Sequence, residues 1–313
     1  MIRLIWKRFL QLIPTVLIVL SVTFVITRII PGNPALVLAG PEADAQLIAE
    51  LEEKMGLDKS IPEQFLMYVA DIFKGDFGTS LNYNQPVFDL IISRIPKTLV
   101  ITFTGLIIAL VLGVLLGTAS ALNQNSAIDH FCTVFALLGA SLPVFWIGIM
   151  SIYFFSVKWG LLPTMGMGDI EKGLFDVISH MILPCLCLAL SPMATFARTT
   201  RSSMLDTINN DYIRALRSRG VKERRIIWKH AFKNALPPII SVLGVQLGIC
   251  FSGAILTENI FAWPGMGTMI STAINTRDYS LIQGAILTLA VVNVVVSLLM
   301  DIIYMLINPK VKI

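Results

Sequence analysis

Residues 206–238 read DTINNDYIRALRSRGVKERRIIWKHAFKNALPP, and their flanks decide the fold. An apolar run long enough to cross a bilayer precedes them, about Ile178–Phe196, and another follows, about Ile239–Leu256. A charged segment held between two such runs lies at a membrane face. In its first half Ile208, Tyr212, Ala215 and Leu216 recur at helical spacing, while Asp211, Arg214, Arg217 and Arg219 point elsewhere. Gly220 ends this first helix, about Asp206–Arg219, because a residue without Cβ takes the left-handed conformation unstrained. Beyond it Ile227, Ala231 and Leu236 lie together, Lys222, Arg225, Lys229 and Lys233 form a basic stripe, and Pro237 and Pro238 mark where the next membrane helix begins. The segment reads as two short helices hinged at one glycine.

The composition agrees. Of 313 residues 55% are hydrophobic and the mean hydropathy is +0.77, which excludes an ordinary soluble domain. The expected class is an all-α polytopic membrane protein with six transmembrane helices, about Phe9–Ile30, Thr98–Leu122, His130–Lys158, Ile178–Phe196, Ile239–Leu256 and Leu281–Leu306. Arg3, Lys7 and Arg8 precede the first run, which is too long for a signal-peptide core and lacks a small-residue cleavage site, so it is expected to be retained. Basic residues before the first span, through 206–238, and at Lys310 and Lys312 place both termini and the loop in the cytoplasm.

Three regions follow from this. Residues 1–30 form the N-terminus and first span, 31–97 an extracytoplasmic helical subdomain, and 98–313 the membrane core with its loop at 206–238. Acidic residues outnumber basic ones in 31–97, and Pro41–Met55 and Pro62–Phe73 read as amphipathic helices too polar to span. Gly105, Ala109, Gly113, Gly117 and Ala121 repeat every fourth residue on the second span, a bare seam for close helix packing. Gly244, Gly248 and Ser252 repeat the pattern on the fifth. Pro143 lies inside the third span, where neighbouring helices can satisfy the freed carbonyl, and Pro184 and Pro192 break the fourth.

Chemistry is sparse. The four cysteines lie in apolar runs, and Cys185 and Cys187, two apart on a helix, face different sides, so small buried filler is the reading and no metal site is expected. His130, His180 and His230 are scattered, no GxxxxGK[ST] loop is present, and no nucleophile sits with a base inside the spans. Catalytic residues are therefore not expected, and ATP is not expected on this chain. The polar candidates within the membrane are Asn293, near the middle of the sixth span, and Asp301, two turns from its inner end, which a cytoplasmic Arg or Lys can pair.

The loop itself is open to three readings: a surface-lying amphipathic anchor, a helix-turn-helix DNA reader, which membrane spans on both sides disfavour, and a coupling loop. The third rests on resemblance. Asp211-Tyr212-Ile213-Arg214-Ala215 through Gly220, then Lys229-His230-Ala231-Phe232-Lys233-Asn234-Ala235-Leu236-Pro237-Pro238, resembles the cytoplasmic coupling loop of ABC-importer permeases. The match is to the branch carrying dipeptides, oligopeptides, glutathione and nickel. The general signature is Glu-Ala-Ala, three residues, Gly, nine residues, then Ile-x-Leu-Pro. Here Arg214-Ala215-Leu216 stands in the first triplet and Leu236-Pro237 falls a few residues late, so Ala215 and Gly220 carry over. Pro31-Gly32-Asn33-Pro34-Ala35, Gly56-Leu57-Asp58, Gly75-Asp76-Phe77-Gly78-Thr79-Ser80, Gly160-Leu161-Leu162-Pro163-Thr164 and the stretch Glu258 to Gly267 resemble the same branch.

The resemblance implies a type I ABC-importer permease-like fold in a bacterial or archaeal inner membrane. It implies ABC ATPase subunits carrying ATP and Mg, a second related permease, an extracytoplasmic substrate-binding protein docking on 31–97, and a lipid environment with no nucleic acid. The ATPase-coupling residues carried over are Asp211, Tyr212, Arg214, Ala215, Leu216 and Gly220. Glu258, Asn259, Trp263, Pro264 and Gly265 form an outer loop, read as an interfacial anchor on a re-entrant turn and as a candidate gate. Gly40-Pro41-Glu42-Ala43-Asp44-Ala45-Gln46 looks like glutathione importers, so a short peptide or glutathione is the expected cargo and a nickel chelate the alternative. From another class, a self-sufficient ion-coupled carrier or channel remains the rival.

Overall fold

A chain this apolar must satisfy its backbone polar groups within itself, which helices do. The structure, a computed structural model, describes residues 2–29, 35, 36, 44–54 and 56–307. Among these the long regular elements are all helices, and pairing of extended chain is limited to one bridge between Thr79 and Pro86. In chain order they are α1 (Ile2–Ile29), α2 (Ala45–Lys54), α3 (Ile61–Phe73), α4 (Val87–Leu122), α5 (Ala127–Ser141), α6 (Val144–Ser151), α7 (Leu174–Ile208), α8 (Asp211–Ser218), α9 (Phe232–Ile260), α10 (Met266–Asn275) and α11 (Tyr279–Ile307). A π-helical segment, Ile152–Lys158, extends α6, and another, Ile226–Ala231, leads into α9. The expected motifs at Pro31–Pro34 and Gly40–Ala43, together with Met55, Pro309, Lys310 and Lys312, lie outside the described residues.

Among the described residues four helices are long and apolar enough to cross a membrane, Val87–Leu122, Leu174–Ile208, Glu223–Ile260 and Tyr279–Met300, or five if the bent pair Ala127–Ser141 and Val144–Lys158 is one span. Proline accounts for most departures from the sequence reading. The third span does not pass through Pro143; it turns by 103° there. Leu142, with ψ 135, takes the extended conformation that a following proline imposes. Pro184 and Pro192, expected to break their span, lie inside the continuous 35-residue α7. Pro237 and Pro238, expected before the fifth span, lie inside α9, so the second half of the loop is no separate short helix: it is the start of a 38-residue helix, Glu223–Ile260. The second span starts at Val87, eleven residues ahead of Thr98, with Pro96 accommodated within it.

The chain forms two compact units. One comprises Met1–Lys97 with Gly265–Val295. Its core packs Val87, Leu90 and Ile91 of α4 against Met266, Met269, Ile270 and Ala273 of α10 and Leu281, Ile282 and Ala285 of α11. Asp278 caps α11 by accepting from Leu281 N–H at 3.2 Å, and its fully buried carboxylate also takes the Ser80 hydroxyl at 2.5 Å and Asn82 N–H at 3.1 Å. The motif Gly75–Ser80 is thus tied to the foot of α11, and the ring of Phe24 on α1 meets Phe65 on α3 at 5.3 Å. At the start of α3 the Ser60 N–H and hydroxyl both donate to Glu63, holding that carboxyl below its usual range.

The other unit comprises Thr98–Pro264 with Val296–Ile313. Its organising contact is the glycine seam. A Cβ built on Gly113 meets Phe196 Cβ at 2.6 Å and Met193 O at 2.7 Å, one on Gly105 meets Leu188 Cβ at 3.1 Å, and one on Gly117 collides with the Ala197 carbonyl. Here α4 lies against α7 nearly backbone to backbone. The second small-residue seam behaves differently: among the described residues Gly244 has only Met300 Cβ nearby, at 3.8 Å, and Ser252 is exposed.

Candidate functional site

The charged loop resolves into a short helix braced on longer ones. α7 runs through Asp206 to Ile208, so the loop's own helix starts at Asp211, five residues later than its sequence pattern places it. Ile213, absent from the expected apolar face, is the fully buried residue of α8 and packs with Ala121, Met204, Ile226, Ala231 and Ala235, while Leu216 packs against that cluster half-buried. Spacing toward Ile208 favoured Tyr212 and Ala215, but the chain breaks at Asn209–Asn210 and the helix restarts in a new phase.

Of the expected coupling residues, Asp211, Tyr212, Arg214 and Ala215 are exposed. Asp211 and Arg214 pair with each other. Tyr212 links α8 to the helix after it: Asn234 Nδ2 donates to its hydroxyl at 2.8 Å, and that hydroxyl donates to His230 O at 3.4 Å. Gly220 takes φ +73, Gly220 N–H donates to Arg217 O at 2.9 Å, and Val221 N–H donates to Leu216 O at 3.2 Å. This pair of bonds is a Schellman stop, which satisfies the last carbonyls of α8 and demands the left-handed conformation. Arg217 then pairs with Glu223 across the turn, Nη2 to Oε1 at 2.7 Å.

The mount beneath this helix was not read from the sequence. Asp129, 3% exposed, accepts from both Arg201 Nε at 2.7 Å and Arg201 Nη2 at 2.8 Å, from Asn125 N–H at 2.9 Å and from the Ser120 hydroxyl. One carboxylate thereby gathers the end of α4, the turn after it and the stretch of α7 that leads to α8.

The second candidate group lies elsewhere, and its acid and tryptophan are enclosed by the chain itself. Trp263 is fully buried against Ile101, Cys185 and Leu188, and Glu258 is fully buried, accepting the Thr98 hydroxyl at 2.6 Å. Trp263 N–H returns to Glu258 O at 2.8 Å across a turn in which Ala262 takes φ +47. Asn259 is exposed, its side chain bonded to Ile255 O at 2.7 Å, Pro264 is half-buried, and Gly265 is the residue before α10. Asn293 is exposed on α11, and the side chain of Asp301 lies outside the described residues. Cys185 and Cys187 point apart, toward Ile101 O and Val144 O.

Membrane-length helices with a short cation-rich helix braced at one charged end define an integral membrane protein. The chain belongs to the family of binding-protein-dependent transport system inner membrane components, which it matches over residues 109–313, and residues 1–102 match the N-terminal region of such components. It is a permease subunit of an ABC importer, a multi-pass inner-membrane protein whose transporter keeps its ATPase on a separate subunit. It is 41% identical over 98% of both chains to the dipeptide transport system permease protein DppB of Alkalihalophilus pseudofirmus. It is 38% identical to the glutathione transport system permease protein GsiC of Salmonella paratyphi A, over 100% of this chain and 99% of the relative. Among solved structures, the inward-facing methionine ABC transporter MetNI shares the fold, with a TM-score of 0.58 at 17% identity over 70% of this chain and 96% of that one.

Proposed function

We propose that this permease carries short peptides or glutathione inward, together with a second related permease, using ATP and Mg held by ABC ATPase subunits and cargo delivered by an extracytoplasmic binding protein. In this reading the chain crosses the membrane six times with both termini in the cytoplasm, and residues 31–97 face outward to receive the binding protein. The cargo class follows the dipeptide and glutathione relatives. The observation that carries the coupling role is the two-sidedness of α8. Ile213 and Leu216 hold it down, while Arg214, Ala215 and Arg219 face outward on a helix stopped at Gly220. Ala215, small and exposed, lets a partner surface approach the backbone closely, and the arginines meet acids around it.

Movement of that surface between ATP-bound and released forms then shifts α8 and the helices beneath it, because the two states differ in their contacts with one element. Glu258 and Trp263, both buried, serve this cycle by holding the turn between α9 and α10. The test is to purify the chain with its partner subunits and measure ATP turnover with cargo-loaded binding protein. Turnover that rises with loaded binding protein, together with uptake of a labelled dipeptide or glutathione, is expected. Uptake persisting without any ATPase subunit overturns the reading in favour of a self-sufficient carrier.

A further inference from the structure

Past Gly220 the loop carries a cation cluster that the coupling role does not use. Lys222, Arg224, Arg225 and Trp228 line a cavity of about 470 Å³. Glu223, the acid among them, is occupied by Arg217, and Asp211 by Arg214. Lys222, Arg224 and Arg225 are exposed, and none of the three has a carboxylate partner among the described ion pairs. Immediately beyond them Ile226 is fully buried and the helix runs on to Ile260 as a membrane-length element. Trp228, 49% exposed, lines the same cavity and stands against the Phe232 ring at 5.5 Å.

We infer that this cavity binds the headgroup of an anionic phospholipid. Three exposed cations without a carboxylate partner among the described residues, gathered around one cavity, favour an anion there. A half-exposed tryptophan paired with a second aromatic ring, at the foot of a membrane helix, is the arrangement that settles at the lipid–water boundary. A soluble phosphate answers the charges but leaves Trp228 in water, whereas a phospholipid puts its phosphate among the cations and its glycerol and first methylenes along the ring. Bound there, it fixes the foot of α9 beside the coupling helix. The inference rests only on the membrane position of α9, not on the cargo or the ATPase seat proposed above.

The test places the purified transporter in nanodiscs of phosphatidylcholine alone or mixed with phosphatidylglycerol carrying a photoreactive headgroup, and maps the labelled peptide. Labelling of residues 222–233 by phosphatidylglycerol in preference to an equally reactive phosphatidylcholine is expected. Each neutralised cation is expected to lower it about fivefold at low salt, the factor for about 1 kcal/mol, so Lys222→Gln/Arg224→Gln/Arg225→Gln abolishes the preference and high salt weakens it. Arg224→Lys/Arg225→Lys, which keeps the charge, is expected to keep the label and guards against misfolding of the triple variant. Equal labelling by both lipids, or a preference unchanged in the triple variant, overturns the proposal. So does competition by free glycerol phosphate, which makes the site one for soluble anions, or retained labelling with loss of the ATPase subunit on purification, which makes the cluster part of the ATPase seat. Labelling needs no ATP, so failed uptake leaves this result standing.

Discussion

Arg201 grips Asp129 with two nitrogens, Nε and Nη2, across 72 residues of sequence, and the carboxylate it holds is almost wholly shielded from solvent. Asp129 also takes the Ser120 hydroxyl, so the pair ties α4 and α5 to the part of α7 that carries α8. Removing one partner strands the other. Arg201→Met is expected to destabilise the protein by about 3 kcal/mol, the low end for a buried pair because Arg201 is 32% exposed. Asp129→Leu combined with Arg201→Met should cost clearly less than the two single losses added together. Unfolding in detergent monitored for all four proteins gives the cycle, and strict additivity would show the pair is not coupled.

Gly220 is constrained by its backbone and not by space, since a built Cβ finds nothing among the described residues within 4 Å at φ +73. Gly220→Val should cost about 1–2 kcal/mol in the left-handed conformation and misdirect α8 at its stop, while Gly220→Asn is tolerated better. The Val variant is expected to insert normally and, assembled with its ATPase, to hydrolyse ATP without matching uptake in proteoliposomes. Wild-type uptake by that variant would remove Gly220 from the coupling reading.

The two small-residue seams should respond oppositely to one added methyl group. Gly113→Ala puts Cβ 2.6 Å from Phe196 Cβ, which forces α4 and α7 apart and costs about 1–3 kcal/mol as overpacking. Gly244→Ala, whose nearest neighbour is 3.8 Å away, is expected to be nearly silent within this chain. Comparing melting temperature and monodisperse yield in detergent separates them, and a silent Gly113→Ala would contradict the packing described.

Asp278 does three jobs at once, for Leu281 N–H, Asn82 N–H and the Ser80 hydroxyl. Asp278→Ala leaves those donors unanswered and is expected to cost about 2–3 kcal/mol, whereas Ser80→Ala removes two bonds, the one to Asp278 and the one its hydroxyl accepts from Tyr83 N–H at 3.1 Å, and costs less. Protease sensitivity of residues 75–87 reports the loss locally. Equal resistance of wild type and Asp278→Ala would show the segment is held by other contacts.

The helical class, the close-packed seam at Gly105, Gly113 and Gly117, and the left-handed stop at Gly220 were legible because each is written in local spacing. What escaped was set by partners distant in the chain. Arg201 reads as one more cytoplasmic cation until Asp129 stands opposite it. Trp263 and Glu258 look like a membrane-edge pair by residue type, yet Ile101, Leu188 and Thr98 enclose them. Prolines were the least legible: the same residue turns the chain by 103° at Pro143 and leaves α7 continuous at Pro184 and Pro192. Propensity alone cannot separate these cases, because in a bundle neighbouring groups decide whether a freed carbonyl is answered.

From Gly105 to Gly117 α4 runs about 18 Å at about 1.5 Å per residue, and at each of three glycines it comes almost backbone to backbone with α7. Two rods joined so intimately resist shear like a single plank. Under the coupling proposed above, a push delivered to the charged end of α7 would arrive at α4 as displacement of the whole plank, and the give would have to come from its edges.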